Sequence, residues 1–324
     1  MLVMQKLSVF GEAFWLANVD SGGIANFQTI FNLLTAVLLL PFTNLLVNLS
    51  KAIVKDEPEK PARHPELTGL SENLYISPAV ALAEAGKAIA FMGTVAQANF
   101  RRCARQLVAF DPAVSAEVAE DEQALDQFSD KADHFLIGLS KSVETEYDNR
   151  QLDMLLQTIP SFERIGDYAT NLEEIGEKMH SEDTRFSEKA IKELDVLTSA
   201  VDDILSTTIQ ALADNDTELA RTIEPLEEVI DDMVRLLRDR HTKRLKNGSC
   251  TVTSGLLFMD ALTHLERASD HCSSIAVLML ARDNEEILGN HYDYLRHLHE
   301  GTDKLYAEEL RRRREQYVDQ LYRI

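Results

Sequence analysis

The chain has 324 residues, enough for more than one domain with a core of its own. Its 54 acidic residues outnumber 33 basic ones, giving a net charge of −21; this excludes the basic footprint of a nucleic-acid binder and suits a body that attracts cations. Cys103, Cys250 and Cys272 form neither a CxxC pair nor an even set, so they read as small buried residues of a reducing compartment, not as a disulfide framework or a zinc ribbon.

The first element is apolar. Residues 21–50 carry no charge and 30–47 are largely hydrophobic, and about 20 such residues cross a bilayer as a helix. Asn26, Gln28, Asn32, Thr35, Pro41 and Asn44 make the stretch more polar than a simple anchor. It reads as a single anchor or as one helix of a larger helical membrane domain whose neighbours satisfy those groups. It is too long and starts too late for a cleaved signal peptide. Lys51, Lys55, Lys60 and Arg63 follow the span, while only Lys6 precedes it. By the positive-inside rule the downstream body is expected in the cytoplasm, tethered to the inner membrane.

Residues 55–70 mix proline and charge without an apolar period and read as a linker. Beyond them no strand alternation occurs. Helical patterns run over 77–108, 112–147, 150–179, 187–213, 216–247 and 253–284, with a last helix near 292–321. Ser77-Pro78 and Asp111-Pro112 place a capping side chain before a proline at the first helical position. The expected fold is all-α: tandem three-helix bundles preceded by one transmembrane helix. The chain then divides into a membrane segment (1–54), a linker (55–74), a first three-helix repeat (75–182), a second (183–285) and a C-terminal helix (286–324).

The two repeats share a motif. Glu163 and Asp167 lie one helical turn apart, as do Glu266 and Asp270, 103 residues further on. Each has an upstream companion, Glu122 with Asp126 and Glu227 with Asp231, offset by 105. The packing stripe repeats as well: Leu155, Ile159, Phe162, Gly166 and Ala169 become Phe258, Leu262, Leu265, Ser269 and Cys272. The stripe turns small beside each carboxylate pair, which lets helix backbones approach and bring acids from two helices together. A lone acidic pair at this spacing is a mildly repulsive solvated face. Two pairs per repeat at matching positions point instead to metal binding through Glu122, Asp126, Glu163, Asp167, Glu227, Asp231, Glu266 and Asp270. Oxygen-only donors favour hard divalent cations, with iron possible where carboxylates bridge.

Catalysis finds no support. No Walker A, GxGxxG, HExxH or GxSxG motif is present. A ferritin-like oxidase needs Glu-x-x-His on two helices, and only Glu177 with His180 fits, at a helix end. His271, next to Asp270, reads as a half-buried seam residue in preference to a ligand, and Arg311 to Arg314 as a solvated helix face.

The ERIGDYATN run at 163–171, ERASDHCSS at 266–274 and PLEEVIDDM at 225–233 resemble the PhoU family. That resemblance implies tandem three-helix bundles whose ExxxD motifs hold multinuclear metal clusters in phosphate signalling. Upstream, Ala25 to Asn32 and Leu40-Pro41-Phe42 resemble the last membrane helix of bacterial type II sodium/phosphate cotransporters, which often carry a PhoU-like cytoplasmic tail. The glutamine-serine-rich motifs that line the path in such transporters are not found here. The resemblance therefore implies a regulatory tail with its final membrane helix, phosphate and sodium being handled only by a complete transporter. The implied partner is the cotransporter membrane domain or a separate membrane chain, with a second copy of this chain as a further candidate. The alternative is a membrane-tethered PhoU-like adaptor in phosphate signalling.

Overall fold

The computed structural model describes residues 21–43, 63–284, 287, 290–300 and 303–324. Lys6, the basic flank at Lys51, Lys55 and Lys60, and residues 55–62 of the expected linker lie outside the described residues. The chain forms two compact units, residues 1–60 and 61–324.

In the first unit, helix α1 (Ser21–Leu39) continues into a 3-10 turn, Leu40–Phe42, that accommodates Pro41. Phe27, Leu33, Leu38 and Leu40 are all more than half exposed. Its polar hydroxyls turn inward: Thr29 and Thr35 donate to the carbonyls of Ala25 (2.9 Å) and Phe31 (2.8 Å). The helix thus satisfies these groups itself, as an apolar surrounding demands.

The second unit contains α2 (Pro78–Gln106), α3 (Pro112–Leu139), α4 (Glu146–Ser181), α5 (Glu188–Asp214), the short α6 (Thr217–Ala220), α7 (Ile223–Lys246), α8 (Val252–Asp283), α9 (His291–His299) and α10 (Lys304–Arg323). No strand occurs among the described residues. The long motif helices α4 and α8 pack on each other, with α3 flanking α4 and α7 flanking α8; α2 and α5 pack behind them and against each other. The ends of α4 and α8 meet crosswise, so they run antiparallel: Arg282 donates to Gln151 (2.7 Å) at one end, and the Ser254 hydroxyl to the Arg185 carbonyl (3.4 Å) at the other. Every residue of both predicted stripes is buried, and one continuous hydrophobic core runs from α2 to α10. Helix α2 is also apolar and long enough to cross a membrane, but most of its window is buried in this core. Cys103 and Cys272 are buried, Cys250 half-buried.

Three helix boundaries differ from the periodicity. The pattern over 112–147 ends at Leu139, where a 3-10 turn (Ser140–Ser142) and extended Val143 intervene. Thr145 then caps α4, its hydroxyl accepting from the Asp148 amide (3.1 Å); this Thr-x-x-Asp capping signal starts a new helix although residues 140–145 contain no Gly or Pro. The pattern over 216–247 breaks into α6 and α7 because Pro225 belongs in a first helical turn, where its missing amide costs nothing. The last helix is two, α9 and α10, and Asp303 caps the second. Asp111 caps α3 as expected (3.0 Å to the Ala113 amide), whereas Ser77 makes no side-chain cap.

The arginines near the C-terminus are not all a solvated face. Arg313 is buried and pairs with Asp203 of α5 and Glu309, while Arg314 pairs with Asp232 of α7 (2.5 Å). They dock α10 on α5 and α7. Arg311 and Arg312 do remain exposed, pairing only within their own helix.

Candidate functional site

The four acidic pairs face each other across two helix pairs. In the first repeat, α3 contributes Glu122 and Asp126, and α4 contributes Glu163 and Asp167. Gly166 allows the approach: a Cβ there would stand 3.1 Å from Leu125 Cδ1 and 3.2 Å from Glu122 Oε2. Glu122 is hydrogen-bonded to Asp167 and accepts from the Thr170 hydroxyl (3.3 Å). Burial, with the charges of Asp167 and Asp126, pushes the Glu122 carboxyl up to about 7. Burial and the charges of Glu163 and Asp167 also raise Asp126. Glu163 accepts from the Ser129 hydroxyl (2.7 Å), and burial beside Glu163 raises Asp133 one turn further along α3. No arginine or lysine pairs with any of the four among the described residues.

The second repeat is tighter and partly neutralised. Glu227 and Asp231 of α7 and Asp270 of α8 each offer an oxygen, and these atoms lie within 4.8 Å of one another. No three first-repeat carboxylates converge this closely among the described residues. Glu227 is pushed up to about 9 by burial and by Glu224, Asp231 and Asp270, and Asp231 to about 6 by burial and by Glu266 and Asp270. Burial and Glu266 raise Asp270 as well. Glu266, the fourth predicted residue, is instead gripped by Arg238, whose guanidinium donates to both its oxygens (2.5 and 3.3 Å).

Do these residues suit a cation? The donors are all oxygen, which selects hard divalent ions. One Asp231 oxygen is buried without a hydrogen-bond partner, an acceptor that a cation would satisfy. The raised carboxyls describe the same situation: like charges held together, each of which gains if a cation replaces the proton.

His271 does not join the cluster. Its ring stacks on Tyr168 of α4 (5.8 Å), and burial lowers its pKa. His180 lies against Phe110 (5.3 Å) in the last turn of α4, so the single Glu-x-x-His stands apart from the carboxylates. Arg238 carries no motif signal and was invisible in the sequence. Thr170 and Ser273 were findable, since they recur at the same offset of 103; Thr170 donates to Glu122, and Ser273 to buried Glu224.

An all-α body of two repeated helical units, each with facing carboxylate pairs on its second and third helices, defines the class. The sequence model of the PhoU domain matches residues 89–175 and 194–279, more than half of the chain and once in each repeat. The chain belongs to the PhoU domain family. It is 26% identical over 188 residues to a PhoU homolog of the phosphate-specific transport system from Synechocystis, covering 57% of this chain and 81% of that protein. It is 21% identical over 269 residues to the Salmonella typhimurium "Putative inorganic phosphate export protein YjbB", covering 80% of this chain. The chain spans only 48% of that relative. Crystal structures of PhoU from Pseudomonas aeruginosa and of the phosphate transport regulatory protein PhoU from Streptococcus pneumoniae share the fold. The TM-score is 0.58 for both, at 18% and 16% identity, covering 64% and 65% of this chain and 98% and 99% of theirs.

Proposed function

We propose that the protein is a cation-binding, membrane-tethered regulator of phosphate transport, the PhoU-like tail of a sodium-dependent phosphate cotransporter. It acts by binding and coupling, not by catalysis. The observation that carries the reading is the convergence of Glu227, Asp231 and Asp270 within 4.8 Å. The first-repeat set of Glu122, Asp126, Glu163 and Asp167 is the second, looser candidate. A bound divalent or iron-type cation would tie α3 to α4 and α7 to α8. It would thereby favour one arrangement of the helices and, through a difference in affinity between two states, bias the membrane partner. The exposed apolar face of α1 supports membrane insertion, with the helical body on the cytoplasmic side. Phosphate enters the reading through the relatives, and sodium through the resemblance of α1. Transport itself would need the cotransporter membrane domain or a partner chain, since only 48% of the export relative is spanned here.

The alternative, a tethered adaptor contacting a signalling partner or a second copy of this chain, draws on the 81% coverage of the Synechocystis PhoU homolog. An in-frame upstream extension encoding apolar spans favours the transporter, and a neighbouring phosphate sensor favours the adaptor. For the cation, equilibrium dialysis of the full chain in detergent against Mn²⁺ should show saturable sites that Asp270→Asn and Asp167→Asn remove. Binding that is non-saturable, or unchanged in both variants, ends the metal reading.

A further inference from the structure

We propose that the seam between α4 and α8 carries an oxyanion site, built from Arg164 and Arg267 over the ring pair Tyr168 and His271, which takes a phosphoryl oxyanion, inorganic phosphate in its simplest form. Only its coupling to the carboxylate clusters rests on the cation reading above.

Arginines elsewhere in this acidic body find acids. Arg102, Arg238, Arg240, Arg244, Arg313 and Arg314 each reach a carboxylate on another helix. Arg164 and Arg267 do not. Each follows a motif glutamate and is exposed, and neither forms an ion pair or a hydrogen bond among the described residues. They are equivalent positions of the repeat, 103 residues apart, and the packing of α4 on α8 brings them to one place.

The rings fix that register. Tyr168 of α4 lies against both His264 (5.9 Å) and His271 (5.8 Å) of α8, so it stands opposite the turn between them, beside Arg267. The Arg267 guanidinium carbon is 6.0 Å from the Tyr168 ring centroid. Because the helices run antiparallel, Arg164, one turn before Tyr168, stands opposite His271, the repeat counterpart of Tyr168. Burial and, after it, the Arg164 charge lower the His271 pKa, as that placement requires. Two cations thus face each other diagonally across a floor of two half-buried rings, about 6 Å apart along the seam at four residues of helical rise.

This arrangement suits a phosphoryl group. Both guanidinium forks keep their donors free, and such forks match phosphoryl oxygens in geometry as well as charge. The neutral His271 imidazole, without a hydrogen bond among the described residues, adds one N–H. The other end of the row is less suited, because the carboxylates of Asp260 and Glu174 act on His264 there.

The acid clusters flank the seam. Asp167 follows Arg164 by three residues on α4, and Asp270 follows Arg267 by three on α8, both exposed. Empty, these carboxylates repel an anion on the seam, within the roughly 10 Å over which charge is felt at 0.1 M salt. Filled by a divalent cation, they no longer do. Anion affinity should therefore rise with cation occupancy, and the anion should tighten the cations by the same factor.

The test is equilibrium dialysis of the full chain in neutral detergent against radiolabelled inorganic phosphate at fixed ionic strength, with chelator and then with Mn²⁺. Phosphate binding should be saturable and tighten about fivefold or more with Mn²⁺, the lower end of common couplings. Arg164→Gln with Arg267→Gln should abolish it while the Mn²⁺ bound per chain is unchanged. Arg311→Gln with Arg312→Gln removes the same charge from another exposed face and should leave it intact; circular dichroism checks the fold of each variant. Phosphate binding that survives the seam substitutions would place the anion on the cations themselves and overturn the site. Equal loss in both double variants would reduce it to diffuse charge and overturn it too, as would saturable Mn²⁺ binding with no phosphate bound in the parent, which leaves the cation reading standing. Seam-dependent phosphate binding without saturable Mn²⁺ binding would uphold the site and remove the cation reading with its coupling. Glycerol 3-phosphate as a second probe separates the sources: a site for the free ion rejects it, and a site for a phosphoryl group carried on a larger molecule accepts both.

Discussion

The two carboxylate clusters begin from the same motif and end in different electrostatic states. In the first, four acids face one another with hydroxyls as their neutral partners, Ser129 on Glu163 and Thr170 on Glu122. In the second, Arg238 takes Glu266 out of the set, and the remaining three close to within 4.8 Å. A repeated sequence pattern fixes where side chains start. Neighbours from outside the motif decide how much charge remains and how much water reaches it. Glu227, raised to about 9, and its counterpart Glu122, raised to about 7, measure that difference.

The largest expected effect separates the clusters by ligand. A cation that binds only the folded chain stabilises it by RT ln(1 + [L]/Kd), about 2.7 kcal/mol at a hundredfold excess over Kd. With three oxygens already converged, the second cluster should supply most of this gain. Asp270→Asn should abolish the greater part and Asp167→Asn the smaller part in thermal melts at fixed ionic strength with Mg²⁺, Mn²⁺ or Fe²⁺. Equal losses would make the clusters equivalent; no loss in either would mean the gain comes from elsewhere.

Next comes pH, measured with chelator present. The folded carboxyl of Glu227 titrates near 9 against an ordinary 4.5. Between those values the folded chain holds a proton that the unfolded chain has released. Stability therefore falls as pH rises through this window, with no penalty below it and the full penalty above. Glu122 acts the same way over the narrower interval from 4.5 to about 7. Glu227→Gln should flatten the fall in urea midpoint up to about pH 9, and Glu122→Gln only up to about pH 7. A Glu227→Gln profile parallel to the parent's would break the contrast.

How much of this was legible follows the same division. The helices, the stripe from Leu155 to Ala169 and its copy from Phe258 to Cys272 could be read because burial imposes a period on the sequence. The pairing of α3 with α4 and of α7 with α8 could be read from matched acids and small residues. The break before Thr145 was written in a cap that periodicity ignores. Arg238 was not legible. It lies 28 positions from Glu266, and only the register of α7 on α8 brings them together. The docking of Arg313 on Asp203 was hidden for the same reason, since four consecutive arginines look solvated until another helix covers one of them.

Arg238 supplies a third, smaller test. Its pair with Glu266 is partly exposed, so its loss in Arg238→Gln should lower apo stability by about 1 kcal/mol, the upper end for such pairs. The same change frees a fourth carboxylate, so the cation-dependent gain should increase and the second cluster should come to resemble the first. An apo chain made more stable by the substitution would show that Arg238 does not serve to neutralise Glu266.

The smallest effect lies at one position of the two stripes, Gly166 against Ser269. Ser269 is buried, and its hydroxyl donates to the Glu266 carbonyl (2.7 Å), so the second repeat already tolerates a Cβ at this position. In the first repeat a Cβ would sit 3.1 Å from Leu125 and 3.2 Å from the Glu122 carboxylate, contacts that require a shift of a few tenths of an ångström. Gly166→Ala gains helix propensity of up to about 1 kcal/mol. Crowding opposes it, and overpacking typically costs about 1–3 kcal/mol where neighbours cannot yield. Here one neighbour is the end of a flexible glutamate, so the net apo change should stay within about 1 kcal/mol. The informative reading is local: moving Glu122 off Asp167 should weaken the first cluster's share of the cation response and leave the second's untouched. If Gly166→Ala leaves the first cluster's cation response as it was, the close approach at this glycine serves packing alone.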